Sequence, residues 1–247
     1  MESITYILRI SYDGTNYFGW QKQPNVLTVQ TVLEEALNKL FGTSIKTAGA
    51  SRTDCGVHAE EQVVSFAAQR RYEPDDLPHR LNKMLPDDIS VIRADVTDKK
   101  FSARFDSKAK IYRYEILLTK NPLRMRYGWW CRKLSENSLP ILNDAASLII
   151  GTHDFSAFSI LQDLPEEPLC NIIRAEWKLV DSNASHFFIE GNRFLHKMVR
   201  SLVGAMIDIA TGHISIDDFK TMLDEGRRVR EFRNAPANGL TLVKVRY

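Results

Sequence analysis

Cysteine is scarce in this chain and badly spaced for crosslinking. Only Cys55, Cys131 and Cys170 occur among 247 residues. They are far apart and odd in number, which argues against a disulfide framework and for a reducing compartment, the cytosol. Cys55 and His58 make half of a zinc site, but such a site needs a second close pair of ligands, and neither remaining cysteine brings one. No metal is expected. Long apolar runs are missing as well. The longest, "SLVGAMIDIA", falls well short of the ~20 residues that cross a bilayer. The amino-terminal "MESITYILRI" carries an acid and lacks the positive start of a signal peptide. Glycine-rich phosphate-cradling fingerprints are absent. No sign of charge dominates either: 33 Lys and Arg against 31 Asp and Glu leave +2, so a polyanion can be met only by a local patch.

What is present is a core-forming chain, 44% hydrophobic, without repeats or low-complexity segments. "ITYILRISYDG" clusters β-branched and aromatic residues and stops at a turn pair, predicting a strand. After Thr28 as a cap, Val29, Val32, Leu33, Ala36, Leu37 and Leu40 recur at helical spacing, and Gly42 ends the run. "QVVSFAA" and "ISVIRADV" predict strands flanking a short helix over "DDLPHRLNKMLP". From Phe101 the pattern restarts, with a long strand or hairpin over "FSARFDSKAKIYRYEILL" and a helix over "SENSLPILNDAASLII" that ends before Gly151. "IIRAEWKLV" and "HFFIEGNRF" predict a hairpin around Asp181-Ser182-Asn183. Leu195, Met198, Val199, Leu202, Met206 and Ile209 trace a helical stripe, Ser215 with Asp218 starts another helix, and "LTLVKVRY" closes the chain as a strand. Strands and helices alternate without a regular βαβ rhythm, which predicts an α+β fold. Two units are expected, 1–104 and 105–247.

One short stretch stands out for its chemistry. "ASRTDCGVH" places Arg52 and Asp54 two residues apart beside Gly56, just ahead of an apolar strand. In a strand-like segment residues two apart share a face, so the guanidinium would keep the carboxylate ionised and oriented. An oriented carboxylate is a nucleophile. On spacing alone the plainer reading is a surface ion pair in a turn, which contributes little. Gly56, which permits a tight turn, and the polar His58 shift the balance toward chemistry.

At this point the sequence resembles a known family. "ASRTDCGVHAEEQVVSF" is similar to the signature of the TruA family of tRNA pseudouridine synthases. Other family-like segments follow in the family's order: "YDGTNYFGWQKQ", "LNKMLPDDISV", "FSARFDSKAKIYRYEI", "GTHDFSAF", "GNRFLHKMVRSLVG" and "APANGLTLVKV". The resemblance spans nearly the whole chain. It implies a pseudouridine synthase fold, in which two related halves with mainly antiparallel sheets join across a basic central cleft. The first half would carry the catalytic aspartate and the second would complete the cleft. Its implied activity is isomerisation of uridine in the anticodon stem-loop of tRNA by a homodimer, without cofactor or metal. Residue by residue, it makes Asp54 the nucleophile, Arg52 its companion, and Tyr112 the ring that packs on the target base. Arg200 would border the cleft. The chain departs from bacterial members in having Ser51 for the usual glycine and Cys55 after the aspartate. The loop "LQDLPEEPLC" also carries Asp163, Glu166 and Glu167, and acids there repel phosphate.

An RNA surface is also legible without the family. Lys99, Lys100, Arg104, Lys108, Lys110 and Arg113 crowd one stretch, and Arg124, Arg126, Arg132 and Lys133 surround Trp129 and Trp130. Cations neutralise phosphates and rings stack on exposed bases. Lys108 and Lys110 are taken as phosphate contacts. Two rival functions remain on this reading. A non-catalytic RNA-binding or RNA-folding protein would keep the basic surface without needing Asp54. A glycoside hydrolase would need a second acid across the bond, for which Glu60 and Glu61 are the nearby candidates.

Overall fold

The structure is a computed structural model that describes residues 3–247. By contact the chain divides into two compact units, residues 1–108 with 241–247, and residues 109–240. Against the boundary expected at 104/105, the division falls at 108/109, and nearly all of the last strand belongs with the first unit. Chain order alone hides that return.

In the first unit, strand β1 (Ser3–Tyr12) buries Ile4, Tyr6, Leu8, Ile10 and Tyr12, every second side chain, as its alternation requires. It pairs antiparallel with β3 (His58–Gln69) on one side and β4 (Ile89–Thr97) on the other. The two-residue β2 (Ala48–Gly49) joins β3 antiparallel. Strand β10 (Leu240–Arg246) runs parallel to the start of β3, with Thr241 opposite His58. Helix α1 (Val29–Phe41) is capped as expected: the Thr28 hydroxyl accepts from Thr31 N–H, and Gly42 closes the helix at φ +70. Its Phe41 meets Tyr6 and Phe66 edge-on while those two rings stack at 5.2 Å, which seats the helix on one face of the sheet. The short α2 (Leu77–Asn82) packs on β4.

The second unit has a sheet in the order β5-β9-β8-β7, formed by β5 (Ala109–Leu117), β9 (Ala184–Gly191), β8 (Leu169–Asp181) and β7 (Gly151–Asp154), all neighbours antiparallel. The two-residue β6 (Trp129–Trp130) lies parallel to β5. Helices α3 (Leu139–Leu148) and α4 (Met198–Ala210) pack together, and α3 lies against β8, where Asn143 bonds both backbone groups of Trp177. Helix α5 (Ile216–Glu225) begins with the Ser215–Asp218 capping box. Mixed α/β composition with mainly antiparallel strands agrees with the expected class.

Two expectations need correction. The long strand over 101–118 is shorter, because residues 101–108 are turns: Asp106 accepts from Ser102 N–H at 2.7 Å, and Ala103 N–H leaves the ladder for Ser65 Oγ at 3.0 Å. Ser and Asp side chains that bond local backbone compete with strand pairing. Residues 192–197 are likewise not strand or helix. The stripe from Leu195 becomes helical only at Met198, after Lys197 adopts φ +61.

The second unit holds a partly buried charge network. Arg124 donates to Glu115 and Asp181, and His186 Nε2 lies 3.1 Å from Glu115. Burial pushes the Glu115 carboxyl up, but the His186 hydrogen bond and the Arg124 charge outweigh it and hold the group below its ordinary range. A carboxylate lowered on folding contributes stability above its unfolded pKa of about 4.3 and loses it as pH falls further. Glu115→Gln is therefore expected to cost about 1–2 kcal/mol at pH 7. In urea titrations across pH the gap from the parent should close below about pH 4. A gap independent of pH would show that the charge is irrelevant.

Candidate active site

The "ASRTDCGVH" loop lies between β2 and β3, and residues 51–57 form no strand. The shared-face argument for Arg52 and Asp54 therefore fails. Arg52 is exposed and, among the described residues, takes part in no ion pair, whereas Asp54 is partly buried. The loop turns on itself through Val57 N–H to Asp54 O at 3.1 Å, with Gly56 at φ +78, a region that glycine enters without strain.

Other parts of the first unit hold this turn from two sides. On one side Gln62, fully buried on β3, accepts from Ser51 N–H at 3.2 Å and donates to Ser51 O at 2.6 Å. On the other, the segment after β1 wraps the loop. Trp20 N–H donates to Thr53 O at 3.0 Å, Gly56 N–H to Tyr17 O at 3.3 Å, and the Tyr12 and Thr53 hydroxyls pair at 2.8 Å. Close approach demands glycine at two points. A Cβ on Gly14 would stand 2.0 Å from Val57 O, and one on Gly19, at φ +84, 2.5 Å from Thr53 O. His58 completes the frame: Gly14 N–H donates to its Nδ1 at 3.0 Å. The same ring nitrogen lies 3.1 Å from Asp13 Oδ1, which also accepts from Thr15 N–H and Oγ1–H.

The result is a carboxylate on a short turn whose flanking backbone groups are bonded on both sides. Such a frame fixes where a nucleophile stands. Sequence reasoning missed Tyr12, Gly14, Gly19 and Gln62 as its supports. The only available signal was that "YDGTNYFGWQKQ" packs two glycines and four aromatics into twelve residues, and nothing local says what they face.

The remaining expected residues lie in or beside the second unit. Tyr112 on β5 is only 4% exposed, with the Phe194 ring edge-on at 5.2 Å. Arg200 on α4 is partly buried and locked to the chain beyond α5: its Nε donates to Ala235 O at 2.8 Å, and Ala235 N–H donates back to Arg200 O. Lys110 is buried, donates to Asn192 O at 3.3 Å, and has its amine pKa pushed down by burial and then by Arg193. Lys108, which lies in the first unit, is exposed.

The basic stretch around the tryptophans is partly spent inside the fold. Arg124 serves Glu115 and Asp181, and Lys120 and Arg132 lie 5.5 and 5.2 Å from the Trp130 ring. In the acidic loop, Asp163 lies 2.6 Å from His196 Nδ1. Among the described residues no group of His, Cys, Asp and Glu is placed to hold a metal ion, and no helix is long and apolar enough to cross a membrane. A surface hollow of about 500 Å³ lined by Leu40, Asp76, His79, Arg80, Lys83 and Met84 contains none of these site groups.

A family described as tRNA pseudouridine synthase matches residues 9–106 and 145–247. The chain is 36% identical to tRNA pseudouridine synthase A of Bacteroides fragilis over 98% of its own length and 96% of the relative's. It is 40% identical to the protein of that name from Acetivibrio thermocellus, covering 97% and 98%. For the Thermoanaerobacter sp. X514 protein of the same name the identity is 39%, covering 96% and 97%.

Proposed function

Because the chain belongs to the tRNA pseudouridine synthase family and isomerises uridine in tRNA, we propose that Asp54 is the nucleophile of the reaction. The observation that supports this is the doubly held turn, which keeps a partly exposed carboxylate in one place without burying it. Asp54 bonds covalently to the uridine, at the ribose anomeric carbon or at the pyrimidine ring. The N1–C1′ bond breaks with its electron pair staying on N1, the base turns, a C5–C1′ bond forms as the carboxylate is released, and C5 gives up its proton to solvent while N1 takes one up. Electrons and atoms balance without an oxidant, so the isomerisation runs on the chain's own groups. Tritium release from tRNA labelled at uridine C5 tests the reading, since only replacement of that hydrogen by the glycosidic bond frees the label. A protein that binds the tRNA yet never frees label would instead fit the non-catalytic binder.

The target base must leave its stack to be reached, and in this reading Tyr112 stacks on it. Tyr112→Phe is expected to retain most activity, whereas Tyr112→Ala loses the ~1–3 kcal/mol that a stacked base is worth. Equal damage from both would give the hydroxyl a chemical role instead. The exposed Arg52 makes its contribution to RNA phosphate near the turn, not by orienting Asp54. Arg200, on a helix fixed by Ala235, borders the same base.

Lys108 and Lys110 divide in this account. Lys108 offers an exposed charge to phosphate, while the buried Lys110 amine supports the strand that bears Tyr112. Lys108→Ala is expected to weaken tRNA binding and to lower the slope of log affinity against log salt by about 0.7–0.9. It should leave the choice of uridine unchanged, because phosphate contacts position and base contacts specify. A shifted modification site would contradict that division. The anticodon stem-loop is the region proposed for modification, in the cytoplasm, by a homodimer. Sedimentation showing only a 28.3 kDa species would remove the dimer.

A further inference from the structure

Residues 99–108 carry four cations, Lys99, Lys100, Arg104 and Lys108, against the single acid Asp106. The loop is held firmly. Asp106 and Ser102 exchange two hydrogen bonds, Ser107 Oγ donates to Arg104 O, Tyr247 OH donates to Ala103 O at 2.8 Å, and Lys108 N–H donates to Arg246 O at 2.8 Å. Of its two phenylalanines, Phe101 packs on Tyr247 at 5.0 Å, but Phe105 is 79% exposed. The Arg104 guanidinium lies 5.2 Å from the Phe105 ring. Single exposed apolar side chains are ordinary on a surface. This one is different in being presented by a bonded loop, beside a stacked guanidinium, within a basic stretch, on a protein whose substrate is RNA.

The loop's attachment places it. Ala103 N–H bonds Ser65 Oγ on β3, and the neighbouring Phe66 faces Tyr6 and Phe41 of α1. Alternation puts Ser65 and the loop on the face away from α1. His58, which begins β3 just after the Asp54 turn, is seven residues from Ser65 (65 − 58), or roughly 23 Å at ~3.3 Å per residue. At ~3.4 Å per stacked nucleotide, the strand from His58 to Ser65 spans several nucleotides, so the end that anchors this loop lies that far along from the end that follows the Asp54 turn.

We propose that Phe105, with Arg104 at its side, is a stacking site for an unpaired base of the substrate tRNA, several nucleotides from the modified uridine. The inference rests on the tRNA reading above and adds a second contact to it. Stacking tolerates any base, so the site contributes affinity and not sequence choice.

The test uses the whole protein and unmodified tRNA. Phe105→Ala is expected to raise Kd and KM together on the order of tenfold. Saturating tRNA should recover turnover, and the melting temperature should not change because the ring is exposed. The salt slope should stay parental, since no charge is lost. Phe105→Trp should bind as the parent does, and its added fluorescence should be quenched by tRNA beyond the change seen from the four native tryptophans. Parental affinity in Phe105→Ala, or no added quenching in Phe105→Trp, would overturn the proposal. So would a change in sedimentation without a change in affinity, which would make Phe105 a contact between copies. Affinity and quenching are read directly, so they decide the matter even if tritium release by the parent fails and the enzymatic reading falls alone.

Discussion

Gly14→Ala is expected to cut turnover by about 100-fold or more while leaving a folded protein, because it displaces the Asp54 turn. The added Cβ would stand 2.0 Å from Val57 O and 2.7 Å from Val57 C. Both are backbone atoms of the loop, held by neighbouring hydrogen bonds, so the clash is relieved only by moving the turn or the segment that wraps it. Overpacking of this kind costs about 1–3 kcal/mol. Displacing a nucleophile by about 1 Å costs far more in rate than that does in stability, which is why activity should fall before the fold does. Gly212→Ala is the control. That glycine also has a positive φ, +73, but a Cβ there meets nothing within 4 Å. Its substitution should lower stability by about 1 kcal/mol through backbone strain alone and spare turnover. Melting temperature and tritium release on each variant separate the two effects. Parental turnover in Gly14→Ala would show that the turn tolerates movement and that its tight support is incidental.

The sequence revealed those elements whose signals are local. Thr28 and Gly42 mark the ends of α1 by cap chemistry, Ser215 with Asp218 marks α5, and the alternation of β1 marks its buried face. All appear as read. Failures occurred where a distant residue decides. Residues 101–108 alternate well enough to pass for strand, but Ser65 and Tyr247 take their backbone bonds. Arg52 and Asp54 look paired by spacing, yet Gln62 and the segment from Tyr12 to Trp20 shape the loop so that spacing no longer governs contact. Lys110 reads as one more surface cation, and only the packed sheet shows its amine to be buried. Arg124 reads as RNA-facing but belongs to an internal network with Glu115. The candidate nucleophile itself was visible because a family signature marks it. Its supporting frame was not, because glycines selected by close approach carry no periodic signal.

Asp54→Asn should have the largest effect of any single change. It preserves side-chain size while removing the charge and most of the nucleophilicity, so the covalent step is lost and the turn keeps its shape. Loss of a covalent nucleophile lowers turnover on the order of 10³-fold or more. Binding should persist, because affinity for tRNA comes mainly from cations and stacking surfaces that this change leaves alone. One fewer carboxylate near the incoming phosphates should even favour association slightly. Melting temperature should change little, as asparagine keeps the side chain's size and the backbone hydrogen bonds of Ser51, Thr53 and Gly56 that hold the turn are made by other atoms.

The most direct test is tritium release from tRNA labelled at uridine C5, measured in a single turnover with protein in excess of tRNA and above Kd. With Asp54→Asn the account predicts no label above the protein-free control, on a preparation whose tRNA affinity stays within about threefold of the parent's. Release at the parental rate by that same preparation would place the nucleophile elsewhere and contradict the assignment of Asp54.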